Sequence, residues 1–177
     1  IRATGGFIGS FGILTLKDGK LTNLLIDDIY NPDGQIDIKN IMTPPPKPIA
    51  DYLAEDRLYL RNSNWDPDFP TSAEVFKNLY FKVTGESVDG VIAVDLDFTK
   101  KLLSATGPVF LTAYNEEITS ENLYERTQYY AEFNYEDGSD QKRSFLTVLG
   151  GKLLEKVFSM DEGEVSGFSA MVAESLK

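Results

Sequence analysis

Apolar residues along this chain recur first at the period of a strand and later at the period of a helix, and the changes of period divide it into elements. From Gly5 to Leu16 β-branched and aromatic residues dominate, Lys17-Asp18-Gly19-Lys20 interrupts them, and Leu21 to Asp27 is apolar again. An Asp-Gly pair between two such runs predicts an antiparallel hairpin, because glycine takes positive φ at little cost. Residues 31–47 hold Asn31-Pro32-Asp33-Gly34 and Pro44-Pro45-Pro46. Proline fixes φ and lacks a backbone donor, so a long irregular stretch is expected there. A short helix over 48–55 and a short strand over 58–61 are expected to follow.

Thr71-Ser72-Ala73-Glu74 has the form of a capping box, with Thr71 as N-cap and Glu74 closing it. Val75, Phe76, Leu79, Tyr80 and Val83 then fall at helical spacing, and Gly85 is placed to end the helix. Val88 to Val94 is a short, mostly apolar run and predicts a buried strand. A helix over 96–106 and a strand over 109–111 would complete a strand–helix–strand unit, which implies a parallel pair with a right-handed crossover. Thr119 or Ser120 is expected to cap a helix running to about residue 135, and Glu136-Asp137-Gly138-Ser139 to break it. Over 141–158 the residues Phe145, Leu146, Leu149, Leu153, Leu154 and Val157 share one helical face, and 161–177 predicts a last helix. Helices on both faces of a sheet give the expected fold class: α/β, a three-layer α-β-α sandwich with a mixed central sheet.

The chain has 177 residues, which fits one domain spanning 1–177. It opens at Ile1-Arg2 without an initiator Met or signal peptide, and so reads as a domain excised from a longer protein. No run of about 18 apolar residues is present, so no membrane span is expected in this fragment. The 42% apolar and 25% charged content is ordinary for a globular chain. Charge narrows the partners: 28 acidic residues against 17 basic ones leave a net charge of −11, which repels phosphate backbones and disfavours nucleic acid. Composition narrows the chemistry further, because there are no cysteines and no histidines. Thiol nucleophiles, Ser-His-Asp triads, His-based zinc sites and His proton shuttles are all removed. Catalysis would fall to carboxylates, Arg, Lys, Tyr, hydroxyls or an oxygen-bound cation.

Four features carry candidate chemistry. Thr4-Gly5-Gly6-Phe7-Ile8-Gly9-Ser10 resembles a dinucleotide-binding glycine loop, but that chemistry needs a helix after the loop to face the pyrophosphate, and a hairpin strand is expected instead. Gly6, Gly9 and Gly12 then sit on a strand and admit a close backbone or ligand. Asp27, Asp28, Asp33 and Asp37 are either carboxylates able to hold Mg²⁺ or Ca²⁺, or formers of Asx-turns. Arg61-Asn62-Ser63-Asn64-Trp65 precedes a helix N-terminus, where Arg61 could grip a phosphate and Trp65 stack on a sugar. The alternative is that Trp65 anchors the loop in the core while Asn62 and Asn64 satisfy its backbone. The chain has five arginines, so a meeting of Arg2, Arg61, Arg126 and Arg143 at one anion site would be notable; pairing with Glu on a helix surface is the commoner fate.

Arg2 to Ser10, Asn64 to Ser72 and Val88 to Asp95 together resemble an uncharacterised bacterial cell-envelope domain family with no assigned function. More distantly, Thr84-Gly85-Glu86-Ser87-Val88-Asp89-Gly90-Val91 through Leu102-Leu103-Ser104-Ala105-Thr106-Gly107-Pro108-Val109, with Asp140-Gln141-Lys142-Arg143, is similar to the LytR-CpsA-Psr family. That resemblance implies a LytR-CpsA-Psr-like fold at the extracytoplasmic face of the bacterial membrane, in a membrane-anchored parent protein. The activity it implies is phosphotransfer of a polyprenyl-linked glycan to peptidoglycan, with Arg, Asp and Mg²⁺ handling the diphosphate. Carried over by position, Arg2 and Asp28 are kept; an Asp of the first strand is missing, and Asp27 stands where the family has an Arg. The expected roles are Asp28 and Arg61 in catalysis, Asp28 on Mg²⁺, and Arg2, Asn62, Asn64, Trp65, Arg126 and Arg143 on the ligand. The positions lost leave a second expectation, a non-catalytic surface binding or scaffolding module.

Overall fold

The computed structural model describes residues 6–132 and 145–175, which divide into two compact units. The first comprises residues up to Phe11 together with Asp28–Ala93. It holds α1 (Tyr30–Ile38), α2 (Lys47–Leu53), a single 3-10 turn at Leu60–Asn62, and α3 (Phe69–Thr84). α1 packs against α3 and against the 3-10 turn. Ile29, Ile36, Ile49, Leu60, Leu79 and Val83 are buried in this unit.

Part of the stretch expected to be irregular is helical. Pro32 is the third residue of α1, within the first turn, where a backbone N–H has no intrahelical acceptor in any case. Proline therefore costs α1 no hydrogen bond, and Asp28 Oδ1 accepts the Tyr30 N–H at 2.9 Å just before the helix. The strand expected over 58–61 is replaced by the 3-10 turn, in which Ser63 N–H and Oγ both donate to Leu60 O, at 3.0 and 2.8 Å.

α3 starts at Phe69 rather than after Thr71. Asp68 is its N-cap and accepts both the Thr71 N–H, at 3.0 Å, and the Thr71 hydroxyl, at 2.6 Å, while Pro70 occupies the first turn. Thr71 is thus a donor to the cap and not the cap itself. The other end is as expected: Gly85 takes φ +80° and donates its N–H to Phe81 O at 2.8 Å. Val88–Val94 is not a buried strand. It belongs to no sheet, and Ile92 is 84% exposed, because apolar β-branched sequence forms a strand only where a neighbouring strand supplies hydrogen bonds.

The second unit comprises Gly12–Asp27 and the chain from Val94 onward. β1 (Ser10–Lys17) and β2 (Lys20–Asp28) form the expected hairpin, and Asp18 and Gly19 take φ of +53° and +74°, as a primed two-residue turn requires. Gly12 admits a close neighbour, since a Cβ there would lie 3.3 Å from Leu25 O; Gly6 and Gly9 have open space, so the close approach expected at all three glycines occurs at one. Ile26 Cδ1 lies 3.8 Å from where a Gly151 side chain would begin, so the hairpin rests against a bare glycine face of α6 (Phe145–Phe158).

α4 (Leu96–Thr106) and β3 (Val109–Leu111) have the expected bounds, and Asp95 caps α4 by accepting the Phe98 N–H at 2.7 Å. β3 pairs antiparallel with β4 (Glu116–Ile118), with Val109 opposite Ile118. The expected parallel crossover is absent among the described residues because Val88–Val94 forms no strand to start it; β3 instead pairs across a reversal in which Tyr114 N–H donates to Leu111 O at 3.0 Å and Asn115 takes φ +50°. Thr119 fastens the turn that leads into α5 (Leu123–Glu132), its Oγ1 accepting the N–H groups of Glu121 and Asn122, each at 3.2 Å, and its carbonyl the Leu123 N–H at 3.1 Å. α7 (Glu162–Ser175) closes the chain, and Leu102, Leu103, Leu111, Ile118, Leu123, Phe145, Leu149 and Leu153 form the core.

Among the described residues the architecture is mixed α/β, with seven α-helices and two two-stranded antiparallel sheets. They form no continuous mixed central sheet of the expected three-layer sandwich. No described helix is long and apolar enough to cross a membrane.

Candidate functional site

The polar stretch Arg61–Trp65 is the centre of the most connected cluster of charged and buried polar groups in the first unit. The 3-10 turn holds Arg61 so that its guanidinium meets two carboxylates from different segments. Nη1 stands 3.0 Å from Asp33 Oδ2 on α1, and Nη2 stands 2.7 Å from Glu55 Oε1 after α2. The Asp33 side chain is 3% exposed and that of Arg61 21%. Asp33 Oδ1 also accepts the Leu60 N–H at 2.6 Å, which ties α1 to the turn. The Glu55 carboxylate shares its other oxygen with Asn62, whose Nδ2 donates at 2.9 Å. The guanidinium carbon lies 4.0 Å from the Tyr59 ring centre and 5.6 Å from that of Tyr30.

These contacts set the charges. Burial raises the Asp33 pKa above the ordinary carboxylate value, against the lowering pull of Arg61 and the Leu60 N–H. Burial alone would lower the Arg61 pKa, but its hydrogen bonds to Glu55 and Asp33 outweigh that and raise it. One cation thus faces two carboxylates, and a phosphate brought here would have to displace or tolerate them.

The neighbouring residues fasten the loop. Asn64 Nδ2 donates to Gly6 O at 2.6 Å, and Ile8 N–H donates to Arg61 O at 2.8 Å. Asn62 and Asn64 are buried. Trp65 is 36% exposed, so it is not the core anchor weighed as one of its two readings. The glycine segment before Ser10 runs into β1 rather than a helix, which removes the dinucleotide reading together with its mechanism.

In the second unit Arg126 is paired in the same manner. Its Nε lies 2.6 Å from Glu116 Oε1, while Tyr130 Oη donates to the other oxygen of Glu116 at 2.8 Å. Burial and this bond push the Tyr130 pKa up to about 12. Tyr130 lies stacked on Phe145 with ring centres 4.9 Å apart, and Tyr114 meets both rings edge-on.

Of the four arginines proposed to meet, Arg61 and Arg126 belong to different units and each is engaged by carboxylates of its own unit. Arg2 and Arg143 lie outside the described residues. Asp28 is nearly buried and receives the Tyr30 N–H, the Asx-type role weighed for it. Among the described residues no three acidic side chains gather as they would around a metal ion.

Glu55, Tyr30 and Tyr59 complete the cluster, and nothing in the sequence singles them out. Asp33 is one of the four carboxylates weighed as cation ligands or turn formers, but its ion-pair partner Arg61 lies 28 positions away and is not legible from that pattern. Only Tyr59, two residues before Arg61, was visible as a nearby aromatic.

Residues 1–131 match the model of a family described as a protein of unknown function (DUF4012). No curated protein and no solved structure matches the chain.

Proposed function

We propose, for a chain that belongs to the DUF4012 family of unknown function, the role of a non-catalytic surface binding or scaffolding module whose contact surface is the Arg61 loop. The observation that carries this reading is the pairing of Arg61 with both Asp33 and Glu55. Phosphoryl transfer needs positive charge free to meet developing oxyanions, and here a surplus of carboxylate surrounds the cation. The exposed faces beside it are aromatic: Tyr30 is half exposed and Trp65 leaves the same loop. Flat amphipathic rings of this kind suit stacking on a sugar rather than capture of a phosphate. The partner class is a cell-wall glycan, which agrees with the resemblance to envelope proteins.

A second reading, transfer of a polyprenyl-linked glycan phosphate at the extracytoplasmic membrane face, is favoured by the partial exposure of Arg61. In that reading Asp28 and the ligand's own phosphate oxygens hold Mg²⁺, since Mg²⁺ often takes only one or two protein carboxylates.

The experiment sets the two against each other. The chain is incubated with insoluble peptidoglycan, and separately with a polyprenyl-pyrophosphate glycan and Mg²⁺. We expect co-sedimentation with peptidoglycan that Trp65→Ala weakens, and no turnover of the lipid substrate. Mg²⁺-dependent turnover lost in Arg61→Ala would overturn the binding-module reading.

A further inference from the structure

Val88–Val94 has the sequence of a strand and the surroundings of none. Residues 87–94 make no hydrogen bond among the described residues. Ile92 is 84% exposed and Val94 is exposed as well. A β-branched run with all its backbone donors and acceptors left over is half of a sheet contact.

The β1–β2 hairpin is the other half. It is a sheet of two strands, so among the described residues each strand has one neighbour and keeps an outer edge. Two-stranded sheets are marginal in water without a third strand or a packed face. Leu14 and Leu16 share one face of β1 by strand alternation, and Leu16 is 60% and Leu25 50% exposed. An edge bearing exposed leucines is a template for strand addition.

Charge selects the partner. The hairpin tip carries Lys17 and Lys20 around a single acid, Asp18, whereas residues 86–97 carry Glu86, Asp89, Asp95 and Asp97 and no cation. Both features lie on the same chain, and among the described residues the segment takes no hydrogen bond. Independently of the binding reading above, we propose that Val88–Val94 of one copy adds as a strand to the open edge of the β1–β2 sheet of a second copy. Each copy carries both the strand and an edge to receive it, so a mutual exchange between two copies closes as a two-fold dimer.

The chain lacks cysteine, so single-cysteine variants report pairing cleanly. An isotope-labelled Leu16→Cys or Leu25→Cys chain is mixed with an Ile92→Cys chain, oxidised, and read by mass spectrometry. The expected result is a mixed disulfide between the two variants in excess of the self-pairs. Sedimentation equilibrium of the unmodified chain should give twice the 19.8 kDa chain mass. Ala93→Pro, which removes a ladder donor, should weaken the dimer at least about tenfold. The monomer's unfolding midpoint should not move, since among the described residues nothing bonds to that donor. A mass of one chain at every concentration, or a dimer unaffected by Ala93→Pro, would overturn the proposal. So would a Leu16→Cys/Ile92→Cys chain that closes its disulfide internally at high dilution.

Discussion

Asp33 joins two segments that are far apart in sequence: its carboxylate takes the Leu60 N–H and one arm of Arg61. Arg61 keeps Glu55 when Asp33 is removed, so the main loss is the buried Leu60 N–H left without an acceptor, which costs about 1–3 kcal/mol. Asp33→Ala should therefore destabilise the first unit by about that amount in urea unfolding, and Asp33→Asn by less, because an amide oxygen still accepts from Leu60. Equal loss in both variants would mean that the Arg61 pair, not the backbone bond, holds the turn.

Tyr130 gives a prediction in pH. Its folded pKa of about 12 lies above the ordinary tyrosine value, so the folded state keeps a proton that the unfolded chain releases first. Stability from this group is fully present below pH of about 10 and is lost as pH rises from about 10 toward about 12. Tyr130→Phe should flatten the alkaline fall of the unfolding midpoint, and should remove the latest-titrating step from the absorbance of tyrosinate.

At the scale of elements, caps and glycines decide where helices start and what can lie on them. Asp95 accepts the Phe98 N–H, one of the free donors in the first turn of α4, and Asp95→Ala should cost about 1 kcal/mol of stability. Gly151 leaves room for the hairpin's Ile26 on α6. Gly151→Leu would force side chains off their rotamers, and an overpacking loss of about 1–3 kcal/mol is expected in thermal or urea unfolding. An unchanged midpoint would show that the hairpin does not bear on that face.

For the whole molecule the net charge of −11 is the dominant electrostatic fact. Like charges spread over a folded surface repel, and salt shortens the reach of that repulsion from about 10 Å at 0.1 M to about 3 Å at 1 M. The unfolding midpoint should rise with NaCl over that range. A fall would indicate that the paired charges around Arg61 and Arg126 contribute more than the unpaired acidic surplus costs.

Local chemistry was legible in the chain alone. The Asp18-Gly19 turn, the bounds of α4 and β3, the Gly85 helix end and the Thr119 turn into α5 follow from φ preferences and donor counts that act over a few residues. Pro32 misled, because the rule against proline in helices does not hold in a first turn, and only the observed start of α1 places it there. What neighbours alone could decide was whether an apolar run finds a strand partner: Val109–Leu111 met β4 across a turn, while Val88–Val94 pairs with no strand among the described residues. The same holds for charge. Arg61 is recognisable in the sequence as a cation before a helix, but its two carboxylates come from positions 33 and 55. Contacts between segments distant in the chain are set by packing, so only the tertiary structure could turn a candidate anion grip into a neutralised one.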